Sequence, residues 1–165
     1  MPPLAPQRLK QLTGEQVAQY AKDLGRNHLV RWLNDTKRNI YKCNTFIDAA
    51  WRGSGVQLPW KGNQIPNVHG MRFQLSGDKE GFAQVWPDGQ KKFSDIKINP
   101  GDVAFWDKTV YGTPIQHGAI LDGDGNMLYA GSTQTGGYAE HTVNDFTKSI
   151  YGEPTIVFRY KGLQN

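Results

Sequence analysis

The chain has 165 residues and sets 19 Lys+Arg against 15 Asp+Glu, a formal charge of +4 with a pI near 9.2; this fits one domain with a mild attraction to anionic partners. Hydrophobic residues make up 38% and aromatic residues 12%, which excludes global disorder. No run approaches the roughly 18 apolar residues of a membrane span, and MPPLAPQRLKQLTGEQ has no apolar stretch of the kind a secretory signal needs, so neither is expected.

In chain order, residues 1–12 hold three prolines and no apolar period, and read as an extended arm before a single domain over 13–165. Thr13 with Gln16 forms a capping-box pattern, and Val17, Tyr20, Ala21 and Leu24 follow at helical spacing. A helix is therefore expected from near Gly14. Gly25 interrupts the pattern, and Leu29, Val30, Trp32 and Leu33 continue it, so the segment predicts one bent helix or two short ones. A further helix is expected to begin at or next to Cys43, with Phe46, Ile47, Ala50 and Trp51 on one face and Gly53-Ser54-Gly55 at its end. Residues 59–70, with Pro59, Gly62, Pro66 and Gly70, read as a surface loop.

Short β-like runs then follow at 81–86, 102–106, 117–121, 127–130 and 155–160. The stretch Asp122-Gly123-Asp124-Gly125-Asn126 between two of them is a hairpin signal; it lacks the Glu at the twelfth position that a calcium loop needs. Helices first and strands afterwards predict an α+β fold, with N-terminal helices packed on an antiparallel sheet.

Cys43 is the only cysteine, which excludes an internal disulfide and a zinc site of several thiolates. At a helix start its thiol would meet unpaired N–H groups and the positive end of the macrodipole, which favour the thiolate. The plainer alternative is a small buried apolar side chain. A thiol nucleophile needs an imidazole to take its proton. His117 has the setting for this: it follows YGTPIQ and opens the run HGAIL, whereas His28, His69 and His141 lie in contexts that suit surface or structural roles.

Three blocks, YKCNTFIDAAWRGSGVQLP, INPGDVAFWD and QHGAILDGDGNMLYAGS, in that order over residues 41–132, resemble the papain-like cell-wall cysteine hydrolases of the NlpC and CHAP type. The resemblance implies a papain-like core with Cys43 as nucleophile and His117 as general base. The third position, which orients the imidazole, falls on Tyr129 where the family usually has His, Asn or Gln. Ser132, Gln134 or a backbone carbonyl are the alternatives, and Tyr129 as an ordinary strand aromatic is the plain one. Lys42-Cys43-Asn44-Thr45 replaces the common Asp-Cys-Ser-Gly, which bears on substrate preference. Tyr41, Asn44, Trp106 and Ser132 are the expected substrate contacts, Tyr41 also as an oxyanion donor or a packing residue.

The resemblance implies an amidase acting on peptidoglycan, with no metal or cofactor. Such a protein would be monomeric, made in the cytoplasm without a signal, and exported or injected to act in the periplasm or on the wall. It would be a phage lysin or an antibacterial effector paired with an immunity protein, with no nucleic-acid partner. Two other classes stay open: a non-catalytic module binding glycan or nucleic acid, and a papain-like acyltransferase or deamidase acting on protein.

Overall fold

The computed structural model describes residues 11–27, 42–89, 91–132 and 137–164. Helix α1 spans Gly14–Asn27, α2 Lys42–Gly53 and α3 Val68–Gly77, and a short α4 covers Val143–Thr147. The strands are β1 Phe82–Trp86, β2 Val103–Val110, β3 Thr113–Leu121, β4 Asn126–Ser132, β5 Gly137–Thr142 and β6 Ile156–Tyr160. They form one antiparallel sheet in the order β1-β6-β2-β3-β4-β5. The fold is α+β. No helix among the described residues is long and apolar enough to cross a membrane.

The capping box at the start of α1 forms in both directions: Thr13 N–H donates to Gln16 Oε1 at 3.0 Å and Gln16 N–H to Thr13 Oγ1 at 3.1 Å. Gly25 stays inside the helix, and Tyr138 from β5 occupies the place of a side chain there: a Cβ would sit 2.2 Å from the ring. The expected continuation through Leu29 to Leu33, residues 1–10 of the expected arm over 1–12, and His28 lie outside the described residues.

Helix α2 buries Phe46, Ile47, Ala50 and Trp51 against the sheet, each such side chain beyond Ala contributing about 2 kcal/mol. The next helix, α3, starts inside what the prolines and glycines marked as loop. Asn67 caps it, its side chain accepting from Gly70 N–H at 2.8 Å, and Val68, Met71 and Leu75 turn inward.

Two cores result, one on each face of the sheet. Phe105, Ile120, Leu128 and Phe158 face α1, α2 and α3. Trp106, Ala119, Leu121, Met127 and Tyr129 face the other way, toward Phe146 of α4 and Tyr151. Residues 100–102 pack against the start of α1: Gly101 adopts φ 89°, and its missing Cβ would come 3.0 Å from Gly14 Cα. Asp102, fully buried, accepts from Asn99 N–H at 2.9 Å and from Arg159 at 2.9 and 2.8 Å.

Candidate active site

His117 was expected to open a strand, and instead sits at the centre of the longer β3. The turn read in YGTPIQ contracts to Tyr111-Gly112, with φ 49° and 77°, the positive pair that a two-residue hairpin requires. Residues 108–110 and 113–115 are thereby free to pair as strand.

Backbone pairing then decides what lies beside His117. In an antiparallel ladder, hydrogen-bonded and non-bonded pairs alternate. Leu121 N–H donates to Asp102 C=O at 2.8 Å, which sets the rhythm. His117 therefore faces Trp106 through the backbone, and Gly118 turns its N–H away from β2. On that side β4 pairs with β3 only at Ile120↔Leu128 and Leu121↔Met127. Gly118 N–H, left without a strand partner there, is directed at the thiol of Cys43.

Cys43, half-buried, is the second residue of α2. Burial pushes its thiol pKa up, while the backbone N–H groups of Gly118, Asn44 and Cys43 itself work against that rise. The helix start and a gap in the sheet thus meet at one sulfur. Gly118 leaves room for the buried side chains packed over it: a Cβ would lie 2.7 Å from Ile47 Cδ1 and 3.1 Å from Phe105 Cδ1, so a larger residue would have to push them aside.

The imidazole of His117 projects onto the other face of the sheet, among aromatic rings. Tyr129 meets it edge to face at 4.5 Å and 85°, Phe146 at 5.2 Å and Trp106 at 5.5 Å. Its Nε2 is buried with no hydrogen-bond partner among the described residues. Burial, and then the nearby His141, push its pKa down to about 4, so the ring is neutral at pH 7. Among the described residues no hydrogen bond joins Cys43 Sγ to this ring.

Tyr129 does lie against His117, but with its ring. Its hydroxyl goes to His141, with Oη and Nδ1 2.8 Å apart. The imidazole is therefore oriented by packing where a polar partner was expected. The other expected contacts separate. Asn44 is buried, and its Nδ2 donates to Pro66 C=O at 2.8 Å, tying the loop before α3 to α2; its Oδ1 has no partner among the described residues. Trp106 is fully buried with its indole N–H on Gly152 C=O at 3.0 Å, so it is a floor beneath His117 and cannot touch a substrate from there. Tyr41, Gln134 and the side chain of Ser132, whose backbone ends β4, lie outside the described part.

His141 and Phe146 were not singled out as site residues from the sequence. They enter through β5 and α4, elements with no strong periodic signal in GYAEHTVNDFT. A second His cluster lies on the helix face: His69 Nδ1 is 2.6 Å from Asp107 Oδ2, and Arg72 reaches the same oxygen at 3.2 Å. No protein-family model matches the chain, and no curated protein matches it.

Proposed function

We propose that this chain is a papain-like cysteine hydrolase of the NlpC/CHAP type that cuts an amide bond in the peptide of bacterial peptidoglycan. The carrying observation is the meeting of the α2 start with β3: the thiol of Cys43 lies against the backbone of Gly118, the residue that follows His117. With the thiol pKa raised and the imidazole pKa lowered, the resting pair is neutral. Attack on the substrate carbonyl then requires the imidazole, which projects on the far side of β3 from α2, to meet the sulfur through the gap beside Gly118, where it takes the thiol proton as the C–S bond forms. N–H groups at the start of α2 stabilise the oxyanion, each such donor contributing roughly 3 kcal/mol. The imidazolium returns its proton to the leaving amine, and water releases the acyl group from sulfur.

The substrate comes from the resemblance carried by the three sequence blocks, and the +4 charge suits an anionic wall polymer. The protein would act in the periplasm or on the wall, as a lysin or as an effector neutralised by an immunity partner. Mass spectrometry of muropeptides incubated with the protein tests this directly. The expected product is a peptide fragment with a gain of water at one amide, absent with Cys43→Ala. Intact muropeptides, together with acylation or deamidation of a protein substrate, would replace the wall by a protein target. Binding to glycan without turnover would leave a non-catalytic module.

A further inference from the structure

β5 brings a second histidine to the back of the proposed site. The register sets Met127 opposite His141 and Tyr129 opposite Ala139, so all four share the face onto which His117 projects. His141 Nδ1 and Tyr129 Oη are 2.8 Å apart, and the two rings lie 5.6 Å apart at 63°. The Tyr129 ring also meets His117 edge to face. Tyr129 is thus held at its hydroxyl end by one histidine and supports the other with its ring.

The backbone around His141 is pinned. Thr142 caps α4, its hydroxyl accepting from Asp145 N–H at 3.1 Å, and Val143 N–H donates to Gly125 C=O at 2.8 Å. The same helix delivers Phe146, which stacks on Tyr151 at 4.6 Å and closes the far side of the imidazole. An imidazole whose Nε2 finds no polar partner among the described residues is kept from rotating only by such packing.

We propose that His141 is a positioning residue: through its hydrogen bond to Tyr129 it fixes the ring that sets the orientation of His117. This role rests on the reading of Cys43 and His117 as nucleophile and base. The titratable groups around the imidazole are Tyr129, His141 and, beyond Phe146, Tyr151; the Cys43 thiol meets the backbone N–H of the next residue, Gly118.

The test is the rate at which iodoacetamide alkylates the full chain across pH 4 to 9; with one cysteine in the sequence, the rate reads one sulfur. Tyr129→Phe and His141→Ala should slow alkylation at neutral pH by a common factor of roughly ten, part of the 10²–10⁴ that a positioned base supplies. Both should displace the pH profile in the same direction. The double variant should be no slower than either single one, because one contact is broken in each. His141→Asn, which can place a hydrogen-bonding atom where Nδ1 lies, should recover most of the rate. Imidazole NMR titration of the same variants, with melting temperatures alongside, shows whether the His117 signal moves in protein that remains folded. A wild-type profile for His141→Ala, or additive losses in the double variant, overturns the proposal. An unchanged rate in His117→Ala would remove the Cys43–His117 pair itself, and the role of His141 with it.

Discussion

On one face of the sheet, β2, β3 and β6 meet Val17, Phe46, Ile47 and Trp51, side chains whose burial serves stability. On the other, Trp106 and Tyr129 of the sheet meet Phe146 and Tyr151, with one histidine among these rings and a second bonded to Tyr129. The helix face brings the sulfur to β3 by backbone geometry, with Ile47 of α2 packed over Gly118 where a side chain would otherwise stand. The opposite face holds the imidazole by ring packing. Changes on the first face should therefore cost stability and move the sulfur, and changes on the second should disturb the base with less effect on folding.

The largest effects fall where the two faces join. Cys43→Ala and His117→Ala should each lower turnover of muropeptides by about 10⁴-fold or more, and the double variant should be no worse than either, because nucleophile and base act as a unit. Clearly additive losses would mean that the faces work separately. Gly118→Ala comes next. The added methyl meets Ile47 and Phe105, so it should destabilise by about 1–3 kcal/mol in denaturant titration. Moving α2 by even about 1 Å should also lower turnover on the order of 10²-fold. A stable, fully active Gly118→Ala would show that the closeness of α2 to β3 is not what places the thiol.

The helix face was the more legible from sequence. Thr13 and Gln16 marked the start of α1, and Phe46, Ile47, Ala50 and Trp51 marked the buried side of α2, since these signals are local and periodic. The helix α3 was hidden by Pro66 and Gly70, because its Asn67 cap falls within the turn-rich composition that reads as loop. On the opposite face Cys43 and His117 were named but their surroundings were not. The cage around His117 draws Trp106 from β2, Tyr129 from β4 and Phe146 from α4, and no spacing in the sequence reveals that they converge. Tyr129 was singled out by its register, but the partner of its hydroxyl, His141, depends on how β5 pairs with β4.

Burial of the imidazole predicts an acid sensitivity that belongs to that face. The His117 pKa falls from 6.5 to about 4 in the folded chain, chiefly through burial, while unfolding restores the ordinary value. Between these limits the unfolded chain binds a proton that the folded chain refuses. The stabilisation is thus full above pH 6.5 and drains away as pH falls toward 4, by up to about 3 kcal/mol from this residue. His117→Phe, which keeps a ring in the cage, should flatten the pH dependence of stability over that window. An unaltered slope in denaturant titrations at pH 4 to 7 would place the acid-labile group elsewhere.

The smallest expected effect tests the helix face away from the sulfur. Thr13→Ala removes the hydroxyl that accepts from Gln16 N–H, and with it half of the reciprocal cap of α1. The loss should be about 1 kcal/mol, read as a lower denaturant midpoint with an unchanged slope. Turnover per folded molecule should stay at the wild-type value, because α1 carries none of the residues placed at the site. If turnover fell along with stability, the position of α1 would be coupled to the sulfur. The division between a face that folds the chain and a face that orients the base would then have to be redrawn to include the cap.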